Sequence, residues 1–449
     1  MRVLLVDPPD LFLEGKGWTR QVLPTGLGHL TAVLRRDHDA AMLLPDTRAY
    51  TGGDPWGEIL RAAAAFAPDV VGITAVTAVY PAARRLVALF AEQLPSCRLV
   101  LGGVHVTFRP DEAARLPGVD AVVTGEGEES LLALLAGWEA EARGAPFDPA
   151  SIPGVVVADD GGRVRHGPPR RPIADLDALP FPDREAQLFR DDLQPAFFQS
   201  LITLRGCPYR CIYCSVPSGP EGRTRYRSPD NVTDEIARLR DRHGASYLFF
   251  HDSVFTLHRR RTLELCDTLA ARGVRLPFAI QTRTDRVDEE LLDRLVEVGL
   301  HQVFFGIESG DDESLRLIRK AMPRPEIRRA VDWVRRRGVR ATGFFMIGFP
   351  WEQEEQIRRT ADFACELGLD ALSLFSATPL PGTELWEMSR QPVAEAIDFR
   401  GPALNLTALP DQRYAELVHE VRARFDEHNQ RRLNDSLSAW PGSGLPGAP

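Results

Sequence analysis

Three closely spaced cysteines are the residues of this sequence best suited to chemistry. Cys207, Cys211 and Cys214 follow a C-x3-C-x2-C pattern directly after an apolar run, residues 201–204, that predicts a strand. Three thiolates on one loop can hold three corners of a cubane iron–sulfur cluster and leave the fourth iron open for a small-molecule ligand. The alternatives are a zinc site, which normally takes four ligands, or three unrelated buried thiols. We therefore expect a [4Fe-4S] cluster on this loop.

The composition is that of an ordinary globular chain. Its 449 residues, 44% hydrophobic and 26% charged, predict two or three domains with ample cores. A net charge of -9 predicts no broad basic face for nucleic acid. Six cysteines with three clustered do not resemble a disulfide framework, and they favour a reducing cytoplasm. Met1 leads straight into a predicted strand, and no apolar run approaches the roughly 20 residues of a membrane span, so we expect neither a signal peptide nor a membrane segment.

Residues 1–140 must position a second group of candidate residues. Five βα units with short connections predict a doubly wound, open parallel sheet of the α/β class. Ligands of such sheets bind beyond the carboxyl ends of the strands. The residues at those ends that we expect to contact a cofactor are Asp7, Thr74, Gly103, His105, Gly125 and Glu126.

The βα alternation returns after residue 199, in six further units. The cysteine loop follows the first of these strands, and polar or glycine residues follow the others. These residues are Asp252, Arg283, Glu308, Ser309, Gly348 and Glu352.

The cysteine loop, with Tyr213 directly before the last cysteine, resembles the signature of the radical S-adenosylmethionine (SAM) superfamily. The six βα units are similar to the partial (β/α)6 TIM barrel of that family, with its chemistry at the carboxyl ends of the strands. The resemblance implies that Cys207, Cys211 and Cys214 bind the cluster and that the open iron binds the amino and carboxylate groups of SAM. One electron from a reductase would then cleave SAM and give a 5′-deoxyadenosyl radical, which removes a hydrogen atom from a substrate carbon.

The same resemblance implies a set of SAM contacts at the ends of the barrel strands. Glu308 and Ser309 should contact the ribose or methionine part of SAM, and Gly348 should lie near the adenine. Arg283 should reach the SAM carboxylate, and Tyr213 should belong to the cofactor site.

The first 140 residues resemble the cobalamin-binding domain, a Rossmann-like fold, that precedes many radical SAM enzymes. Segments 6–9, 24–28, 102–105 and 125–128 carry the resemblance, and they are short and mostly glycine. The D-x-H-x-x-G motif of other cobalamin domains is missing, so histidine ligation through that motif is not expected. Two alternatives stay open: a domain that binds cobalamin at the sheet edge, and a retained fold that binds nothing.

The predicted organisation has five parts. They are a cobalamin-binding-like domain at 1–140, a connector at 141–198, the barrel at 199–385, a helical segment at 386–433 and a disordered tail at 434–449.

Two departures from the family pattern lie at the predicted active site. Relatives read Asp-Asp-x-Phe where this chain has Asp252 followed by Ser253, and Pro-Gly-Glu where it has Trp351 before Glu352. Asp252 and Glu352 are expected either to receive a cationic or polyhydroxylated small-molecule substrate or to cap helices.

The resemblance thus predicts a radical SAM enzyme that acts on a small polar molecule of natural-product type. One outcome is cobalamin-dependent methylation. The other is radical dehydration or rearrangement, for example a diol dehydratase of an aminoglycoside-type sugar whose first domain binds nothing. A third, remote alternative is a non-catalytic iron–sulfur sensor.

Overall fold

Two parallel sheets, one after the other along the chain, carry the candidate residues. The computed structural model describes residues 1–10, 22–45, 54–188, 195–216, 224–389 and 404–438. Most of the predicted disordered tail, residues 439–449, lies outside these ranges.

The first sheet has seven strands, and its first five are parallel. The strands are β1 (Arg2–Val6), β2 (Asp39–Leu43), β3 (Val70–Thr74), β4 (Arg98–Gly102), β5 (Ala121–Val123), β6 (Val155–Ala158) and β7 (Val164–His166), in the spatial order β2-β1-β3-β4-β5-β6-β7. The helices are α1 (Thr25–Leu34), α2 (Pro55–Phe66), α3 (Tyr80–Gln93), α4 (Val104–Phe108), α5 (Pro110–Ala114) and α6 (Glu128–Ala142). Because the strands are short apolar runs covered by helices on both faces, most of their residues are buried.

A hairpin after residue 150 adds to this sheet. β6 pairs antiparallel with β5, and β7 pairs antiparallel with β6. These two strands lie within the segment predicted as a connector, so the sheet extends beyond residue 140. The domain boundaries themselves stay predictions.

The second sheet is an open barrel of six parallel strands. The strands after β7 are β8 (Ser200–Leu201), β9 (Leu204–Arg205), β10 (Arg225–Tyr226), β11 (Leu248–Phe250), β12 (Phe278–Thr282), β13 (Leu300–Glu308), β14 (Arg340–Ile347) and β15 (Ala371–Ser376). The barrel order is β15-β14-β13-β12-β11-β8, while β9 and β10 form a separate antiparallel ribbon. The carboxyl ends of the barrel strands lie together at one end, called the barrel mouth below.

Helices cover the outer face of the barrel sheet. They are α7 (Pro229–His243), α8 (Arg259–Ala271), α9 (Glu289–Glu297), α10 (Asp312–Leu317), α11 (Arg324–Arg336), α12 (Glu354–Glu366), α13 (Glu384–Ser389) and α14 (Asp411–Ser438). In α11 the buried residues Ile327, Ala330, Val331 and Val334 recur every three or four positions, the spacing of one helix face. No described helix is long and apolar enough to cross a membrane.

The last helix, α14, packs along the edge strand β15 of the barrel. The side-chain oxygen of Asn429 accepts a hydrogen bond from the Leu372 backbone N–H at 2.7 Å. The amide nitrogen of Asn429 donates to the Leu372 carbonyl at 2.9 Å. One side chain of α14 therefore pairs with both backbone groups of a residue on this edge.

The predicted α/β fold is confirmed, with one difference at the first barrel strand. The run 201–204, expected to be a single strand, is divided between β8 and β9, with Ile202 and Thr203 in neither. The backbone N–H groups of Thr203 and Leu204 donate to the Asp252 carboxylate at 2.7 and 3.0 Å instead of to a neighbouring strand. This buried carboxylate thus interrupts the ladder just before the cysteine loop.

Candidate active site and cofactor cavity

The cysteine loop lies at the barrel mouth, directly after β9. Asp252, which is 1% exposed, holds the chain that leads into it, and its second oxygen accepts a hydrogen bond from the Thr203 hydroxyl at 2.8 Å. Arg261 adds two hydrogen bonds to Thr203, one to the hydroxyl at 3.2 Å and one to the carbonyl at 3.1 Å. Asp252 therefore anchors the loop.

The arrangement of the three thiols bears on the choice of metal. Cys207 and Cys211 are half-buried and Cys214 is exposed, and none of the three forms a disulfide. Within the described residues, no group of three His, Cys, Asp or Glu side chains is close enough to hold a single metal ion. One zinc ion would draw its thiolates to about 2.3 Å from a common centre. A cubane binds each thiolate at a separate iron.

The segment between the first two cysteines is held from β12. The guanidinium of Arg283 lies 3.9 Å from the centre of the Tyr209 ring, and Arg286 donates a hydrogen bond to the Tyr209 hydroxyl. Arg283 also donates to Asp285 at 2.8 Å and to the Lys320 carbonyl at 2.8 Å. Its remaining nitrogen, Nη1, is buried and has no hydrogen-bond partner among the residues that the structure describes. That nitrogen is the donor still available for a ligand carboxylate.

Lys320 is a site residue that the sequence interpretation did not assign. Its Nζ lies 3.1 Å from Oε1 of Glu308, and both side chains are buried. Glu308 has a φ of 72°, and the residues on either side of Lys320 have φ values of 58° and 48°. Such backbone costs energy and tends to occur at functional sites. The sequence did contain one signal for this residue: lysine is rare in the chain, and the only other one is Lys16.

Glu308 also faces the aromatic residue of the cysteine motif. Burial and the nearby Glu308 carboxylate raise the pKa of Tyr213 well above its ordinary value, so its hydroxyl stays protonated and can donate. An added Cβ on Gly306 would come within 2.7 Å of Glu308 Oε1 and 2.9 Å of Lys320 Nζ. Glycine at position 306 therefore lets the ion pair lie directly against β13.

The other two predicted SAM contacts, Ser309 and Gly348, lie against protein groups. The Ser309 hydroxyl is fully buried and hydrogen-bonds to Thr360 at 3.0 Å. Gly348 has a φ of 92°, and an added Cβ would lie 2.1 Å from the hydroxyl of Tyr414 on α14. Position 348 therefore requires glycine, both for its backbone and for the close approach of α14. The predicted SAM contacts of both residues stay predictions.

Glu352, like Asp252, is directed into the protein. It is 0% exposed and accepts hydrogen bonds from the backbone N–H groups of Gly348 at 2.6 Å and Phe349 at 3.0 Å. Burial raises the pKa of Glu352 to about 7. Asp252 and Glu352 thus both bind backbone N–H groups at the barrel mouth, and neither forms the helix cap that was one of the two expectations. Their role in binding a substrate stays a prediction.

A cavity of about 520 Å³ lies over the carboxyl edge of the first sheet. Of the predicted cofactor residues, Asp7, Thr74, Gly103, Gly125 and Glu126 line it. Its volume falls within the range of small-molecule sites. The cavity also reaches Ile202 and Arg205 of the barrel domain, so it opens towards the cysteine loop.

His105 is the predicted cofactor residue that does not line this cavity. Its ring stacks on Tyr80 with 3.8 Å between ring centroids, and Nδ1 lies 3.2 Å from the Thr77 hydroxyl. Burial lowers the pKa of His105 to about 4, so the ring is neutral at ordinary pH. The stacking on Tyr80 gives His105 a packing role beside the sheet edge.

The two acidic residues of the 125–128 loop bind arginines that flank the cysteine loop. Arg225 on β10 donates two hydrogen bonds to the Glu126 carboxylate, at 2.6 and 2.9 Å. Arg205 on β9 donates to Glu128 at 2.6 Å. Burial opposes the ionisation of Glu126, but the bonds from Arg225 and from the Ile173 N–H outweigh it and lower the pKa to about 2. These ion pairs join the first domain to the β9–β10 ribbon next to the cysteine loop.

A second contact between the domains joins α4 to the segment after β15. An added Cβ on Gly382, after β15, would lie 2.0 Å from the ring of Phe108 in α4. Phe108 therefore packs directly on the backbone there, and Arg109 lies 5.9 Å from the ring centre of Trp386. The edge of the first sheet and the barrel mouth are thus held facing one another.

The residues at the barrel mouth and in the first-sheet cavity fit an iron–sulfur cluster, SAM and a further cofactor. Three thiols on one loop suit a cluster, and the unpartnered Nη1 of Arg283 suits the carboxylate of SAM. In the first-sheet cavity, an added Cβ on Gly26 would meet no atom within 4 Å, which leaves room for a broad ligand against α1.

Comparison with known proteins agrees with this geometry. Residues 201–364 match the radical SAM superfamily, and residues 20–135 match the B12 binding domain. An uncharacterised methyltransferase of Pyrococcus horikoshii is 33% identical over 86% of this chain and 83% of its own length. The cytidylyl-2-hydroxyethylphosphonate methyltransferase of Streptomyces wedmorensis is 28% identical over 96% of this chain and 90% of its own length.

Among solved structures, the radical SAM methyltransferase TsrM of Kitasatospora setae, described with cobalamin and a [4Fe-4S] cluster bound, has the same fold. Its TM-score is 0.71 at 21% identity, over 93% of this chain and 84% of that chain. The cysteine motif at the barrel mouth, the sheet that precedes it and the relative at 33% identity lead to one conclusion. The chain belongs to the radical SAM superfamily, in the group that carries a B12-binding domain before the barrel.

Proposed function

We propose that this enzyme methylates a small molecule with cobalamin as a cofactor. The observation that carries the proposal is the position of the first-sheet cavity, which reaches Arg205, two residues before the first cluster cysteine. A methyl donor and a substrate radical must come within bonding reach of one another. Adjacent sites for cobalamin and SAM supply that proximity.

The cofactors supply the radical and the methyl group, and the protein supplies position and electrostatics. Cys207, Cys211 and Cys214 hold the cluster, and Nη1 of Arg283 donates to the SAM carboxylate. The Glu308–Lys320 pair offers one acceptor and one donor for the polar groups of SAM. The two contacts between the domains hold the edge of the first sheet against the barrel mouth.

The alternative outcome, radical dehydration with a first domain that binds nothing, has less support. The case for dehydration relied partly on Asp252 and Glu352, whose carboxylates were expected to be free to bind a cationic or polyhydroxylated substrate. Both are buried and hydrogen-bonded to the protein. The first sheet also retains a cavity, which a domain without a ligand would not need.

Cobalamin retention tests the proposal. Protein incubated with hydroxocobalamin and then passed through a desalting column should keep a corrin absorption band. Gly26→Phe should lose that band, because the ring would occupy the space into which an added Cβ projects. Gly26→Ala is the matched control and should keep it. If the wild type keeps no corrin at high micromolar cobalamin while it still cleaves SAM, cobalamin-dependent methylation is ruled out.

A further inference from the structure

Four phenylalanine rings form a row, here called the aromatic row, across the inner face of the barrel sheet. Ring centroids lie 5.2 Å apart for Phe249 and Phe304, 5.6 Å for Phe304 and Phe344, and 5.9 Å for Phe344 and Phe375. All four rings are half-buried, whereas the residue that follows each of them in its strand is buried. Apolar surface therefore stays open inside the barrel.

The row crosses five strands although only four contribute a ring. Ala279 on β12, between β11 and β13, pairs with Phe249. Its small side chain lets the rings of Phe249 and Phe304 meet across it. Side chains alternate along a strand, so one face of the sheet carries the rings and the other packs on the outer helices. Closed barrels fill this interior with layers of side chains, but here the four phenylalanines are only partly buried.

The inner face carries no charge between the aromatic row and the barrel mouth, in the part of the chain that the structure describes. Strand register places Gln281, Gly306 and Met346 beside Phe304, Phe344 and Phe375 on this face. The ring of His251, two residues after Phe249, lies 4.5 Å from the Phe249 ring. The first charged groups on this path are Glu308 and Lys320, which neutralise one another. Half-exposed apolar surface below an active site indicates a binding surface for an uncharged, apolar group.

We propose that the substrate carries a neutral, flat aromatic ring system that stacks in the aromatic row. This inference rests on the proposed function, because it assigns the row to the substrate of that same active site. Aromatic pairs prefer centroid separations of about 4.5–7 Å, the range in which the four rings already lie, so an added ring extends an existing arrangement. The substrate atoms that react would then lie above the row, towards Glu308 and the cysteine loop.

Two other ligand classes fit the row less well. A cationic ligand could bind the ring faces, but the barrel mouth has no unpaired carboxylate among the predicted substrate residues to balance its charge. A polyhydroxylated ligand needs many hydrogen-bond partners, and two of the polar side chains on this face, Gln302 and Thr342, already hydrogen-bond to one another at 2.9 Å. A neutral aromatic ligand requires neither.

Saturation-transfer NMR on the full-length protein, with its cluster reconstituted and SAM bound, tests this assignment. The probes are indole, choline and myo-inositol. Indole should bind most tightly, and Phe344→Leu should weaken it roughly fivefold because the leucine keeps apolar volume but loses the ring. Phe66→Leu is the matched control: Phe66 is also half-buried, lies on α2 outside the barrel and contacts Arg2, and its replacement should leave indole affinity unchanged.

Several outcomes would overturn the proposal. They are no indole binding to the wild type, equal indole affinity in Phe344→Leu, or tighter binding of choline or myo-inositol than of indole. If Phe344→Leu does not fold, judged by its thermal midpoint, Phe375→Leu replaces it with the same expectation. Fragment binding is measured without cobalamin and cobalamin retention without fragments, so failure of one proposal is distinguishable from failure of the other.

Discussion

Nη2 of Arg205 lies 2.6 Å from Oε1 of Glu128. This hydrogen bond connects β9, which leads into the cysteine loop, to the start of α6 in the other domain. Both residues line the first-sheet cavity. The distance from Arg205 to Cys207 is two residues along the chain. The geometry of the cysteine loop therefore depends on this contact with the other domain.

Loss of this contact should destabilise the protein more than loss of a surface ion pair. Arg205→Gln leaves the carboxylate of Glu128 buried with a weaker partner, and we expect the free energy of unfolding to fall by about 1–3 kcal/mol. Arg260→Gln is the control, since Arg260 is 85% exposed and pairs with Glu264 on the same helix. Its effect should stay below about 0.5 kcal/mol. Equal effects in urea titrations of the two variants would contradict the prediction.

The cluster should depend on three of the six cysteines. Replacement of Cys207, Cys211 and Cys214 by Ala should abolish both iron binding and SAM cleavage in anaerobically reconstituted protein. The control replaces the other three, Cys97, Cys266 and Cys365. That variant should bind iron as the wild type does. A full iron complement in the first variant would sink the assignment of the ligands.

The Glu308–Lys320 pair should contribute to SAM affinity. Glu308→Gln and Lys320→Gln each remove a charged hydrogen-bonding group, and we expect a loss of roughly tenfold or more in each case. Calorimetric titration with SAM measures it, and the loss in SAM affinity should exceed the loss in stability. Arg319→Gln, next to Lys320 but paired with the exposed Glu384, is the control and should bind SAM normally. Unchanged SAM affinity in both glutamine variants would make the pair purely structural.

Glu352 should make stability fall as pH rises. The pKa of Glu352 in the folded protein is about 7, above the ordinary value of 4.5. The contribution of Glu352 to the free energy of unfolding is therefore fully present below pH 4.5 and is lost as pH rises through 7. Glu352→Gln resembles the protonated acid, and its free energy of unfolding relative to the wild type should rise by about 2 kcal/mol from pH 5 to pH 8.

The control for this series is Glu355→Gln, whose side chain is 83% exposed. Its effect should be below about 0.5 kcal/mol at both pH values. Denaturant unfolding at pH 5 and pH 8 gives the comparison. A difference between Glu352→Gln and the wild type that does not change with pH would show that the buried carboxyl does not titrate in this range.

The sequence predicted what depends on local pattern. Short apolar runs such as Val70–Thr74 are recognisable because both faces of a parallel strand are buried. The C-x3-C-x2-C loop is equally local. Local pattern did not reveal that Asp252 would accept hydrogen bonds from Thr203, which lies 49 residues earlier in the chain. Nor could it show that Lys320 would meet Glu308, because their contact depends on left-handed backbone on both sides of the lysine.

The aromatic row shows the same limit. Phe304 and Phe344 each look like one apolar residue in an apolar strand, and Phe305 and Phe345 beside them look the same. Which member of each pair faces the interior depends on the strand register and on which face the helices cover. Only the assembled sheet distinguishes a ring of the core from a ring that a ligand can reach.

The pairing of Asn429 with Leu372 has a consequence for how molecules of this protein meet. An edge strand with free backbone groups is a template to which a strand of another molecule can add. The Asn429 amide, through one acceptor and one donor, takes the place that such a strand would occupy. At the other edge, Arg184 donates to the Ser200 carbonyl of β8 at 2.8 Å. The open barrel sheet thus has a side chain hydrogen-bonded to the backbone of each edge strand. These bonds oppose the addition of a strand from another molecule at either edge.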